Sequence, residues 1–584
     1  MSGVANNAQL RLQANYTQFD PVCNVQLKGA TVNETVLTKE MLDLIKEKGL
    51  RVTGCYYTLV KAEVVNPGQN IRYLSTVDYS GIRAYEKEET PSITVNLQSL
   101  EGRDYEVDMK VSVARDTEPG VAYREHVKTV ALKAGEQTSA TQELSLEPGF
   151  YNLTVSVGSS PVCSYVIGYD PTGVVSEYDG KADFSEFWED ALAELAMVEG
   201  RFEIEKEMTD KSTSNRKVYQ VKMYSVADAE GGEPVVIRGY YAEPVADGKY
   251  PVLIHYQGTD GGSSTPWCPS GDDNPDWCEF VLSVRGQMIN NREPYLDCNI
   301  YQNEQYGIKS EYYTYGFPSL REHYYRNAYL DCVRAIDFVA QCPKADTDNI
   351  FAAGGSQGGA FTYAAAGLDH RLKAIAPSIT GHSDFADDFK IVSWPRNKFE
   401  ACIEAWNNTS GISALTRDAA GELSMDHVLD FLTYFDVKNF GPSVTCPVIT
   451  NFSLQDTTDP PHVNVAPFNL LEKVDDKDKE YYVNPFLGHA TAADWNKRYM
   501  EFFNRYRTGT TQINEIQTGS SDNIGIVADD LNITVTGTED GERINVYNLQ
   551  GALVVSTVEK SFNLPSRGFY ILSAGKGQTR KISL

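Results

Sequence analysis

Asn349-Ile350-Phe351-Ala352-Ala353-Gly354-Gly355-Ser356-Gln357-Gly358-Gly359-Ala360 decides the architecture of this chain. An apolar run with the character of a strand is cut by paired glycines and followed by residues that open a helix, with one serine at the tip of the turn. A strand-to-helix turn this sharp leaves no space beside the serine, so Gly354 and Gly358 bracket Ser356 and leave its Oγ exposed above a sheet. Ser356 is therefore a candidate acyl acceptor. The pattern also arises as an ordinary glycine-rich turn in a chain with 45 glycines, so its partners must decide.

A serine hydroxyl needs a general base, and the base needs an orienting carboxylate; on a sheet that presents serine this way, the acid and then the histidine follow it in the chain. Of eight histidines, His126, His255 and His323 precede the turn, leaving His370, His382, His427, His462 and His489. His370 follows the turn's own helix too closely to fold back, His382 falls in the loop after the next strand, and His427 belongs to a helix around Met425 to Leu432. His489 differs, because Lys479-Glu480-Tyr481-Tyr482-Val483-Asn484-Pro485 reads as a late strand and Phe486-Leu487-Gly488-His489 carries an imidazole onto a loop at the sheet's carboxyl edge.

The strand before it, Cys446 to Phe452, runs into Ser453-Leu454-Gln455-Asp456-Thr457-Thr458-Asp459-Pro460-Pro461-His462. Asp456 lies nearer the strand end and is the better acid for reaching the histidine Nδ1; Asp459, ahead of the proline pair, is the alternative, or a brace for the loop. The oxyanion needs two backbone donors. One is the N–H of Gln357, after the serine. The other is that of Thr259, because Tyr250-Pro251 leads into the apolar strand Val252-Leu253-Ile254-His255-Tyr256, which opens into Gln257-Gly258-Thr259-Asp260-Gly261-Gly262.

Several further motifs agree in order: Asp183-Phe184-Ser185-Glu186-Phe187-Trp188, Arg285-Gly286-Gln287, Tyr325-Arg326-Asn327-Ala328-Tyr329-Leu330-Asp331, Leu454-Gln455-Asp456 with Pro460-Pro461, and Gly488-His489. With Gly354 to Gly359 they resemble the acetyl xylan esterase and cephalosporin C deacetylase family of α/β-hydrolases, over about residues 170 to 508. The resemblance implies a mainly parallel sheet with helices on both faces. It also implies a serine carboxylesterase that removes acetyl groups from acetylated xylan or related oligosaccharides without a cofactor. It assigns Ser356, Asp456 and His489 as the triad and Thr259 and Gln357 as oxyanion donors. It makes Arg285-Gly286-Gln287 a structural marker rather than a substrate clamp. The chain departs from the family at Thr259, where tyrosine is usual, and at Ala490, where glutamate usually follows the histidine. Trp267 and Trp277, in the insertion after the oxyanion loop, are candidates for a sugar-stacking lid, with core packing as the alternative. An esterase of another small ester, a peptidase or amidase on the same triad, and a non-catalytic carbohydrate-binding protein are the competing functions.

Composition narrows the partners. Eighty acidic against 52 basic residues give a formal charge of -28, which disfavours nucleic acid and anionic membranes and is compatible with neutral sugar esters. No apolar run approaches the roughly 18 residues of a membrane span. The ten cysteines include no C-x-x-C pair, so zinc is not expected; Cys268–Cys278 and Cys332–Cys342 are candidate disulfides, with buried free thiols as the alternative. The acidic stretch Asp272-Asp273-Asn274 lacks the spacing of a calcium loop. No metal is expected.

A 584-residue chain should hold more than one domain. Residues 1–168 read as a β-rich module, a sandwich by strand periodicity, after a helix-like segment at Thr38 to Lys48 and with strands such as Arg51 to Val60, Ser92 to Leu97, Tyr105 to Val113 and Gly149 to Val157. It is a sugar binder through Tyr56, Tyr57 and Tyr73, a wall for the catalytic mouth, or a spacer; tyrosines in strands more often build core. Residues 169–508 form the α/β-hydrolase domain, 509–522 a polar linker, and 523–584 a C-terminal β-sandwich. The tail Ile544-Asn545-Val546-Tyr547-Asn548-Leu549-Gln550-Gly551, with Leu564-Pro565-Ser566-Arg567-Gly568-Phe569-Tyr570-Ile571-Leu572, resembles the sorting domains of type IX secretion cargo in Bacteroidetes. It implies contact with an export machinery and a secreted or surface location. Met1-Ser2-Gly3-Val4-Ala5-Asn6-Asn7 has neither the basic nor the apolar region of a signal peptide, so the expectation is a chain that starts after a removed signal, with a cytoplasmic protein as the alternative. Oligomeric state is not legible.

Overall fold

Strand Ser92–Ser99 turns Ile93, Val95 and Leu97 to one side, the period-two pattern of a half-buried strand. It lies between Tyr73–Val77 and Gln137–Glu143 in an antiparallel three-stranded sheet. A five-stranded sheet of Ala84–Tyr85, Ser160–Tyr169, Gly149–Val157, Tyr105–Arg115 and Arg124–Leu132 supplies Met109, Val111, Val113, Leu153 and Val155 to the same core. The two sheets make a β-sandwich. Tyr73 donates its hydroxyl to the Val157 carbonyl at 2.7 Å and packs on that core, so it serves the fold.

The computed structural model describes residues 73–100, 102–259, 267–270, 273–287, 289, 304–305, 308–309, 312–408, 423–508, 525–529, 532–536, 541–548, 553–565, 569–574 and 578–583. The segments Thr38 to Lys48 and Arg51 to Val60, with Tyr56 and Tyr57, and the linker 509–522 lie outside them. By internal contacts the chain divides into Met1–Glu501 and Phe502–Leu584, so the sandwich and the central sheet share one unit.

The central sheet uses strands β1 (Glu203–Glu207), β2 (Arg216–Ser225), β3 (Val235–Pro244), β4 (Tyr250–Tyr256), β5 (Cys278–Ser283), β6 (Ala345–Gly355), β7 (Leu372–Ser378), β8 (Val448–Ser453) and β9 (Lys479–Asn484). Their order is β9-β8-β7-β6-β4-β5-β3-β2-β1. From β5 to β9 every pairing is parallel, and β3, β2 and β1 extend the sheet antiparallel. Every residue of β5 and of β8 is buried, as expected where helices cover both faces. Helices α1 (Phe184–Met197), α2 (Tyr324–Gln341), α3 (Gln357–Leu368), α4 (Phe385–Ile391) and α5 (Pro461–Asn469) connect or flank these strands. This is the α/β-hydrolase arrangement, with the carboxyl ends of β4, β6, β7, β8 and β9 at one edge.

The remaining motifs of the sequence are mostly packing devices. Trp188 of α1 is buried and donates Nε1–H to the Tyr434 carbonyl, while the Tyr434 hydroxyl donates to Asp183. Arg285 is fully buried, with Nε and Nη2 on the Asp331 carboxylate and Nη1 on Asp228. That fork ties the loop after β5 to α2 and leaves no guanidinium face for substrate.

The sandwich is seated directly behind the loop after β8. Phe150 meets Phe452 edge to face, and with Val174, Leu454 and Val465 forms a small core. The Gln455 amide pairs with Val166 as another strand would, accepting its N–H and donating to its carbonyl, both at 2.9 Å. His462 on α5 bridges the two parts, with Nδ1 3.3 Å from Asp116 and Nε2 3.3 Å from Asp387. Burial disfavours its charge, yet the two carboxylates push it up to about 10, and the same contact holds Asp387 well below the usual range. Asp384, Asp387 and His462 stand close enough to share a cation, but Lys438 and Lys390 already pair with the two carboxylates.

Among the described residues, all seven cysteines are free, so neither Cys268–Cys278 nor Cys332–Cys342 is bridged. The cause is placement. Cys278 opens β5 and Cys332 lies inside α2, both buried in the main core, where a thiol packs as a small apolar group. Among the described residues, no helix is long and apolar enough to cross a membrane. The second unit contains a three-stranded sheet of Gly525–Asp529, Asn532–Thr536 and Ser561–Asn563, and a four-stranded sheet of Leu553–Thr557, Ile544–Asn548, Phe569–Ala574 and Gln578–Ser583. Ile533, Val535, Ile544, Val546 and Leu572 form its core, while Leu549, Gln550, Gly551 and Ser566 to Gly568 lie outside the described residues.

Candidate active site

β6 ends at Gly355 and α3 begins at Gln357, so Ser356 makes the whole turn, with φ 59 and ψ −126. A side chain with positive φ is strained by roughly 1–3 kcal/mol, and the surroundings here enforce it. A Cβ on Gly354 would stand 2.3 Å from the Gly358 carbonyl oxygen, and one on Gly358 would stand 2.1 Å from that of Tyr256. Backbone therefore fills the space on both sides of the serine, which is why the flanking positions carry no side chain. The Ser356 N–H donates to Ser378, and its carbonyl accepts from Gly359 and Ala360, fixing the turn between β7 and α3.

Asp456 and His489 reach this edge from the loops after β8 and β9. His489 Nδ1 lies 2.8 Å from Asp456 Oδ2. The other carboxylate oxygen, Oδ1, accepts the N–H groups of Thr458 and Asp459 at 2.9 and 3.0 Å. Asp456 is thus buried, fully used and fixed in rotation. The histidine loop is braced through its backbone: Gln455 N–H donates to Leu487, and the Ser453 hydroxyl to Ala490, at 3.1 and 2.8 Å.

Asp459 stands closer to the serine than its place in the sequence suggests. The Ser356 hydroxyl donates to Asp459 Oδ2 at 3.2 Å, and the same oxygen is 3.8 Å from His489 Nε2. Burial, with the Asp456 charge adding to it, pushes the Asp459 carboxyl up to about 7, against the pull of His489 and of the serine hydroxyl. The prolines that follow redirect the chain into α5 and turn this side chain inward. Sequence spacing alone does not report that turn.

Two glutamines, Gln287 and Gln357, link the loop after β4 to the serine turn. Gln357 opens α3, where the first N–H groups have no acceptor within the helix. Its side chain is buried and donates to the Tyr325 hydroxyl at 2.9 Å. Gln287 donates to the Gly258 carbonyl at 3.2 Å and to the Gln357 side chain at 3.3 Å, joining the loop after β4 to the serine turn. Gly258 lies against the turn, since a Cβ there would be 3.7 Å from Ser356 Cβ. Thr259 follows it, half-buried.

Ser356 opens into a cavity of about 500 Å³ whose walls include His255, Trp267, Ile379, Trp495 and Tyr499. Trp267 is 43% exposed, its ring edge to face on His255 at 4.5 Å. His255 in turn meets buried Glu279 at 3.0 Å, which Arg216 also binds. Burial opposes that charge, yet His255 and Arg216 hold Glu279 down at about 2. Sequence order excluded His255 as a base and gave no sign that it supports the cavity wall. Trp277 requires a correction: it is 5% exposed and packs on Phe351. It precedes β5, whose first residue pairs with Val252 near the start of β4, so it lies at the sheet edge opposite the serine.

A family model described as acetyl xylan esterase matches residues 174–506. An acetyl esterase named Axe7A from Xylanibacter ruminicola is 25% identical over 408 residues, 68% of this chain and 83% of that protein. Among solved structures, an acetyl xylan esterase from Paenibacillus sp. R4 has 25% identity and a TM-score of 0.47, covering 58% of this chain and 98% of its own. Acetyl xylan esterase 1 from Thermoanaerobacterium sp. JW/SL YS485 has 21% identity with the same TM-score and coverages.

Proposed function

This chain belongs to the acetyl xylan esterase family and is a carboxylic ester hydrolase, and from that premise we propose that it releases acetate from acetylated xylan or related oligosaccharides by way of an acetyl-Ser356 intermediate. The observation that carries the mechanism is the convergence of a strained serine turn with a histidine 2.8 Å from a buried, fully bonded aspartate. His489 Nε2 takes the Ser356 proton as Oγ attacks the acetyl carbonyl carbon. Asp456 holds the Nδ1–H tautomer and stabilises the imidazolium. The N–H groups of Gln357 and Thr259 receive the oxyanion, and His489 then protonates the departing sugar oxygen. Water, deprotonated by the same imidazole, attacks the acetyl-enzyme and restores the serine.

Trp267, exposed on the cavity wall, is our candidate platform for the sugar that carries the ester; a flat aromatic face suits the C–H face of a pyranose. We read residues 1–168, 169–508 and 523–584 as sandwich, hydrolase and sorting module, with export to the cell surface or medium resting on the sequence of the tail. The test is a substrate comparison. Acetylated xylo-oligosaccharides and p-nitrophenyl acetate should be hydrolysed, with p-nitrophenyl butyrate at least about tenfold slower in kcat/KM, the discrimination a small pocket gains per added methylene. Faster hydrolysis of butyrate, or of a peptide p-nitroanilide, would overturn the acetyl reading.

A further inference from the structure

The Asp459 carboxylate has no structural task that its backbone does not already perform. Its N–H donates to Asp456 Oδ1, and its carbonyl accepts from Asn464 at 2.8 Å, so the main chain braces the loop. The side chain is turned the other way. Oδ2 receives the Ser356 hydroxyl, while Oδ1 faces Gly381, where a Cβ would stand only 2.6 Å away. A residue of any size at 381 would displace the carboxylate from the nucleophile.

We propose that Asp459 is a second carboxylate of the catalytic centre: it accepts the resting Ser356 proton, and then faces the imidazolium formed when His489 takes that proton. This rests on the serine-esterase reading above. The serine has one hydrogen to donate, and at rest it donates it to Asp459 Oδ2. In the attack, the Oγ–H bond breaks, the proton passes to Nε2, and the Oγ electron pair forms the bond to the acetyl carbon. The Nε2 proton then leaves with the sugar oxygen as the ester C–O bond breaks. Asp459 neither gains nor loses a proton in that step. Its charge lies 3.8 Å from Nε2 and favours the imidazolium there, while Asp456 does so at Nδ1.

The groups facing Asp459 fix the sign of its effect. Asp456 on its own loop is held by three hydrogen bonds, to His489 Nδ1 and to the N–H groups of Thr458 and Asp459. Asp388 on α4 and Tyr313 also face it, and burial pushes both well above their usual values, disfavouring a charge on either. That leaves His489 as the group whose charge Asp459 faces, 3.8 Å away. An ionised Asp459 makes the imidazole harder to deprotonate, and so raises the pH at which His489 becomes available as a base.

The experiment is the pH profile of kcat/KM, and of fluorophosphonate inactivation, for Asp459→Asn with Asp459→Ser alongside. Both variants should move the acid limb down by about one pH unit, the effect of one carboxylate at this range. Both should also lower the plateau about tenfold, because the imidazolium of the transition state loses a partner. An acid limb left in place, whatever happens to the plateau, overturns the proposal, since a loop brace would lower activity at every pH alike. The two readings fail separately. A wild-type enzyme that does not react at Ser356 defeats the esterase mechanism, whereas an unmoved limb in one that does react there defeats the role of Asp459.

Discussion

Ser356→Ala is expected to lower kcat for acetyl ester hydrolysis by about a millionfold, with a residual rate of order a thousandfold over water from the oxyanion donors and binding alone. The size follows from the site's design. No second hydroxyl lies on the turn, and the backbone on either side is in contact with Tyr256 and Gly358 carbonyls, so no neighbour can move in to substitute. Alanine keeps the Cβ and inherits the same positive φ, leaving the turn's strain unchanged. The variant should therefore melt within about a degree or two of wild type. Circular dichroism against temperature, read beside a p-nitrophenyl acetate assay, separates loss of the nucleophile from loss of the fold.

Asp456→Asn is expected to cost about ten-thousandfold in kcat while the site keeps its shape. Oδ1 of Asp456 accepts two backbone N–H groups, from Thr458 and Asp459, and only an oxygen can remain there. The new amide must therefore turn its NH₂ toward His489 Nδ1, at the position now 2.8 Å away. An NH₂ can only donate, so Nδ1 becomes the acceptor and the imidazole proton is forced onto Nε2. That tautomer cannot take the serine proton. A rate loss without a change in KM, accompanied by an unchanged melting temperature, is the expected signature; a loss of less than about tenfold would show that Asp456 is not the orienting acid.

Legibility in the sequence followed the reach of local rules. The turn at Ser356 could be read because strand, glycine and helix signals are adjacent, and because backbone contacts exclude any other residue at Gly354 and Gly358. A mainly parallel sheet followed from alternating strand and helix patterns, though its strand order did not, and the ends of β8 and β9 placed Asp456 and His489 at one edge. Features that depend on the direction a side chain takes after a bend were not visible. Asp459 reaches Ser356 only because the chain reverses at Pro460, and Trp277 is at the wrong edge because β5 runs parallel to β4. Contacts between distant segments were equally hidden. The pairing of Gln455 with Val166 joins residues 289 apart, and it seats the sandwich one residue from Asp456. Neither amide nor backbone partner carries any mark in sequence of that meeting.

The central claim is that Ser356 is the residue acylated in turnover, and peptide mapping by mass spectrometry after reaction with a fluorophosphonate tests it most directly. The account predicts one adduct, on the peptide containing Ser356, whose formation is slowed at least about a hundredfold in His489→Ala. An adduct on any other residue, or an unlabelled Ser356 in an enzyme that still releases acetate, would contradict it.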